Sequence, residues 1–155
     1  MKRFAAAAVA AAALCGWAAA PALAHEGEHF SAGEPGNPKL PARTVTVTAV
    51  EDGKKMLFEP AHIDVKKGEQ IKFVIWNEGT EDHEFMLATP KENRKHAQLM
   101  KKYPKMEHAD PNGVRVSNYT SRELLWKFTR KGTFEYGCLI PGHYEAGMHG
   151  TVTVK

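Results

Sequence analysis

The chain closes on GTFEYGCLIPGHYEAGMHGTVTVK, residues 132–155. The first part, through Cys138, and the last, from His149 to Val154, read as strands rich in branched and aromatic residues. Between them Pro141-Gly142 turns the chain. Cys138, His143 and Met148 are spaced with four residues in each gap, so all three line one loop at the end of a strand pair. A thiol, an imidazole and a thioether so close together are a metal-ligand set of soft and borderline character. The loop supplies three donors, and a fourth must come from elsewhere.

Working back along the chain, TVTVTAV at 44–50 alternates, HIDV at 62–65 runs into a Lys-Lys-Gly-Glu turn, and QIKFVIWN at 70–77 is β-branched and aromatic. Further strands are expected at 83–87 and 122–129. Short strands separated by Gly- and Asn-containing turns predict an all-β fold, a Greek-key antiparallel β-sandwich over residues 43–155. One segment breaks that pattern. Thr89-Pro90-Lys91-Glu92 carries a Thr cap, Pro in the first turn and a Glu placed to reach back, which predicts one inserted helix around 90–103, ending before Pro104. His96, Leu99, Met100 and Tyr103 share one face of it, with His96 and Met100 expected to pack on the sandwich. Lys91, Arg94, Lys95, Lys101 and Lys102 lie largely on the solvated side.

The N-terminal end reads as an address. Lys2 and Arg3 precede an Ala-rich apolar run, and Ala22-Leu23-Ala24 fits cleavage by signal peptidase, so residues 1–24 are expected to be a signal peptide and the mature chain to be periplasmic, starting at His25. The run is short for a retained membrane span, and Leu14 stands where a lipoprotein site at Cys15 would carry a small residue. Residues 25–42, with Gly, Pro, Ser and Glu and no periodic apolar pattern, predict a flexible arm. Losing Lys2 and Arg3 takes the formal net charge from +3 to +1, which leaves no case for nucleic acid as a partner. It also leaves Cys138 as the one thiol of the mature chain, unable to form an internal disulfide in an oxidising compartment. A bound metal would occupy it.

The best fourth donor is His83 in NEGTEDHEFML, at the start of a strand after the polar turn 77–82. Two imidazoles, a thiolate and a thioether suit copper in both oxidation states, since sulfur favours Cu(I) and imidazole serves both. On these residues the chain resembles the cupredoxins, the type 1 copper proteins. The likeness extends to Phe58-Glu59-Pro60, the Val65-Lys66-Lys67-Gly68-Glu69 turn, the approach from Asn77 to His83 and the whole Cys138/His143/Met148 loop, leaving out 89–121 as an insertion. The ligand spacing is similar to that of rusticyanin and auracyanin more than to plastocyanin or azurin. The resemblance implies one copper per chain, with His83, Cys138 and His143 equatorial and Met148 axial. Many family members carry Asn or Ser directly after the first His, where the side chain ties the two ligand loops together; this chain has Glu84.

Other readings of the same residues explain less. A Cys–His nucleophilic pair leaves Met148 without a role. Structural zinc takes Cys or His in all four places. A dinuclear copper centre needs a second loop cysteine. The chain is therefore expected to be a binding and redox protein and not an enzyme, a monomer with no membrane span in its mature form, docking a redox partner near His143. Two functions fit: periplasmic copper handling and tolerance, or a dedicated soluble single-electron carrier. His25 and His29 favour the first as a candidate second copper site, because an N-terminal His offers its amino group and imidazole together. Met106, His108 and His149 add further candidate ligands.

Overall fold

The computed structural model describes residues 30–103 and 110–155. The leader, His25, His29, Met106 and His108 lie outside the described residues.

Among the described residues ten strands and one helix follow in the order β1 (Glu34–Pro35), β2 (Arg43–Asp52), β3 (Lys55–Glu59), β4 (His62–Val65), β5 (Gln70–Asn77), β6 (His83–Ala88), α1 (Pro90–Lys102), β7 (Gly113–Val116), β8 (Ser121–Lys127), β9 (Gly132–Gly137) and β10 (His149–Val154). They form two five-stranded sheets, ordered β1-β8-β5-β2-β3 and β4-β10-β9-β6-β7. The expected sandwich is present, with a refinement in its pairing. Strands β2 and β5 run parallel, as do β4 and β10, while the other pairs are antiparallel. Parallel neighbours require the chain to cross over between sheets, so β2 reaches β5 only after β3 and β4 have been laid down.

Alternation along each strand puts one face into the core, as in β5, where Ile71, Phe73 and Ile75 are buried. The centre is aromatic. Phe85 stacks on Tyr136 at 5.1 Å between ring centroids and meets Phe73 at 5.3 Å and Phe58 at 5.8 Å. Edge and offset contacts of this kind add to the area these rings bury. Gly150 pairs across from Tyr136, and a Cβ there would overlap the ring, so the glycine gives Tyr136 room to lie over its neighbour strand.

Residues 30–42, expected to form an arm without structure, pack on the body from residue 30 onward. Ala32 is fully buried, Phe30 meets Trp126 edge to face, and β1 pairs with β8. Two hydrophobic residues in a polar stretch carry no period, which is why a pattern-based reading passes over them. The supposed insertion 89–121 likewise contributes β7, a partner of β6.

The helix begins as its sequence predicts. The Thr89 side chain accepts from Glu92 N, and Glu92 accepts from Thr89 N, closing a capping box. Met100 packs on the sandwich as expected and His96 is half-buried, while Leu99 and Tyr103 on the same face stay exposed and Asn93 joins Met100 as a second buried residue. Met100 sits with Met86 and Leu139, and Asn93 donates to the buried Glu135 carboxylate at 3.1 Å. Thr89→Ala should cost about 1 kcal/mol through the lost cap. Chemical denaturation of the two proteins checks this, and an unchanged midpoint would show the box to be dispensable.

Candidate metal centre

Three elements converge at one end of the sandwich. β6 starts at His83, β9 delivers Cys138 one residue past its end, and the 138–148 loop carries His143 before β10 begins. The loop is pinned by its own backbone, with Cys138 N donating to Met148 O at 3.0 Å and Met148 N to His143 O at 3.1 Å. Gly142 and Gly147 both take positive φ, at 96° and 108°, which lets the chain turn tightly on either side of His143. A bond from Met56 N to Ala146 O ties the loop to β3.

The metal-binding atoms of His83, Cys138 and His143 all lie within 4.8 Å of one another, the single such cluster among the described residues. His83 Nδ1 is 3.1 Å from His143 Nδ1, which is 3.4 Å from Cys138 Sγ. His83, Cys138 and Met148 are fully buried, and His143 is 6% exposed, so it is the donor residue nearest the surface. Met148 is thus brought to the same loop and core. His149 is not; its ring stacks on Tyr144 at 4.7 Å.

Carboxylates stand behind both imidazoles. His83 Nε2 lies 3.3 Å from Glu51 Oε1, and His143 Nε2 lies 3.3 Å from Glu81 Oε2. Glu51, near the end of β2, also accepts from Glu81 N and from the Thr80 hydroxyl, both at 3.0 Å. These bonds, led by the one from Glu81 N, hold its carboxyl below the usual range. Asn77 sets the same turn, donating to Glu81 O at 2.8 Å and Val116 O at 3.1 Å while accepting from Gly79 N at 2.9 Å. Sequence reasoning missed Glu51 and Glu81. Glu51 reaches the 79–83 turn because β2 pairs with β5, Ala49 opposite Asn77, and no local pattern announces that register.

Burial lowers the pKa of His83, with the facing His143 adding to the effect, so its imidazole is neutral at pH 7. Burial also pushes the Cys138 thiol up to about 12, against a weaker opposing pull from the Glu84 and Ile140 N–H groups. Glu84 N is 3.3 Å from Sγ, so at this position the main chain, whatever the side chain, links β6 to the cysteine. Each Nε2 lies against a carboxylate, and the two Nδ1 atoms face each other, with that of His143 also facing the sulfur. Two imidazole nitrogens and a sulfur converging in one buried space form an N₂S donor set whose chemistry fits copper.

A two-sheet sandwich that gathers two histidines and a cysteine at one end, beside a buried methionine, defines a cupredoxin with a type 1 copper-like site, one copper per chain. The model of the copper binding proteins, plastocyanin/azurin family, matches residues 44–155, and the chain belongs to that family. It is similar to the "Copper-resistant cuproprotein CopI" of Rubrivivax gelatinosus, 46% identical over 85% of this chain and 81% of the relative. The protein of the same name from Pseudomonas aeruginosa is 32% identical over 89% of each chain. Among solved structures auracyanin B superposes with a TM-score of 0.61 at 24% identity, covering 79% of this chain and 96% of its own, a likeness of fold.

Proposed function

We propose that the protein is an exported, redox-active copper protein whose work is copper tolerance in the periplasm. The observation that carries the copper-tolerance reading is the 46% identity, over most of both chains, to a relative named for copper resistance. The site supports the redox part. In this reading His83, Cys138, His143 and Met148 would hold the copper. A copper held so supplies one-electron chemistry between Cu(I) and Cu(II). The chain's own residues exclude water from it, orient both imidazoles and leave His143 closest to an approaching partner. Four protein donors leave no position for a substrate, so no catalytic role is proposed. Export rests on the leader motif at residues 1–24; no helix among the described residues is long and apolar enough to cross a membrane.

A second reading, a dedicated electron carrier, is favoured by the placement of His143 as the least buried of the four. Growth of a deletion strain on rising copper separates the two. Copper tolerance predicts sensitivity that the wild-type gene reverses and Cys138→Ser does not. A carrier predicts normal copper tolerance with a respiratory defect. The N-terminal histidines refine the test: if His25 and His29 hold a second Cu(II), His25→Ala with His29→Ala should take the mature protein from two bound Cu(II) to one without touching the visible spectrum. That second ion must compete with protons on an amino group of pKa ~8 and imidazoles of pKa ~6.5. One copper in both proteins would remove residues 25–29 from the function.

A further inference from the structure

We infer that Glu51 and Glu81 act as a pair of charged partners to the copper-binding imidazoles, biasing the centre toward Cu(II) and lowering its reduction potential; this rests on the copper reading of His83 and His143 given above. Each carboxylate oxygen lies 3.3 Å from the Nε2 of its histidine. The approach of Glu51 to His83 Nε2 is an electrostatic contact and not an aligned hydrogen bond; a negative charge beside Nε2 favours the proton there, leaves Nδ1 for the metal and makes that nitrogen a stronger donor. Stronger donors and two nearby negative charges both stabilise the more highly charged metal state. The arrangement is built rather than incidental. Glu51 is held by two further bonds from the 80–81 turn, and Gly79 is the residue whose missing Cβ leaves room for its carboxylate. The same turn carries Glu81, so one loop positions both charges.

The two partners differ in environment. The Glu51 side chain is 23% exposed and that of Glu81 is 58% exposed. Solvent and salt screen the second far more than the first. Glu51 is therefore the larger, salt-insensitive contributor and Glu81 the smaller, salt-sensitive one. Both are positioning residues that act through the ligands.

The test is the reduction potential of the copper-loaded protein by protein-film electrochemistry at low and high salt. Glu51→Gln keeps an oxygen toward the histidine and removes the charge. It should shift the ratio of Cu(II) to Cu(I) affinity about tenfold toward Cu(I), which is about +59 mV for a one-electron couple. Glu81→Gln should shift it severalfold in low salt and hardly at all in high salt. Thr80→Val, which removes one bond to Glu51 and no charge, should leave the potential in place, as a merely structural role for Glu51 would not predict. Potentials of Glu51→Gln and Glu81→Gln equal to wild type, with the visible band intact, would overturn the inference and leave the copper site standing. Should Glu51→Gln not fold, Glu81→Gln on the exposed turn decides alone, and an unchanged low-salt potential overturns the assignment. A failure of the copper reading itself shows separately, as a visible band that survives Cys138→Ser.

Discussion

In Cys138→Ser the intense visible absorption of the copper-loaded protein disappears. That band comes from charge transfer between a thiolate and Cu(II), and a serine hydroxyl is a far poorer donor to copper. Cys138 is the only cysteine among residues 25–155, so no neighbour can substitute for it. The variant should still fold, because serine is close in size and the position lies just past the end of β9. The cost is a buried hydroxyl in place of a buried thiol, of order 1–3 kcal/mol where its hydrogen bonds are incomplete. Absorption and circular dichroism of wild type and variant, each given one equivalent of Cu(II), make the comparison. A folded variant with an unchanged intense band would remove Cys138 from the site.

Stripping the metal should be the largest perturbation of stability. Copper that binds the folded chain and not the unfolded one stabilises it by about 4 kcal/mol at a free concentration a thousandfold above Kd. For a chain of this size that corresponds to a shift in Tm of roughly 10–15 °C. Calorimetry of the copper-loaded and chelated protein measures it, and coincident transitions would mean that copper does not select the folded state. The thiol adds a pH dependence of known sign. In the copper-free fold its pKa is raised from 9.0 to about 12 by burial, so the folded chain binds the proton more tightly than the unfolded chain does. This contribution to stability is intact below about pH 9 and is lost as pH rises toward 12. Copper uptake must expel the same proton, so copper affinity should increase with pH below that range. His83 opposes this little, since burial already keeps it neutral near pH 7.

The absorption, calorimetric and electrochemical measurements bear on different atoms. Loss of the band reports on sulfur, the shift in Tm on occupancy of the whole site, and the potentials of the Glu51 and Glu81 variants on charges outside it. Any combination of outcomes therefore points to a particular part of the centre.

The sandwich, the capped helix and the loop that carries Cys138, His143 and Met148 were legible in the amino-acid sequence. Those features are local: alternation with period two writes out strands, a Thr-Pro-x-Glu start writes out a helix, and four-residue gaps place donors on one loop wherever the loop ends up. His83 could be named as the remote donor because a strand start after a polar turn is also a local signal. What stands behind the donors depends on long-range strand pairing and could not be read locally. Glu51 reaches His83 because β2 runs parallel to β5, a pairing between segments separated by two other strands, and its register depends on the packing of both sheets. The burial of Phe30 and Ala32 against Trp126 and its neighbours was equally invisible, since two apolar residues in a polar stretch acquire meaning only from the surface they meet. Leu99 and Tyr103 show the converse: on the helix wheel they share a face with Met100, yet they stay exposed while Met100 and Asn93 are buried. Periodicity tells which residues could turn inward together, and the shape of the opposing surface selects which of them do.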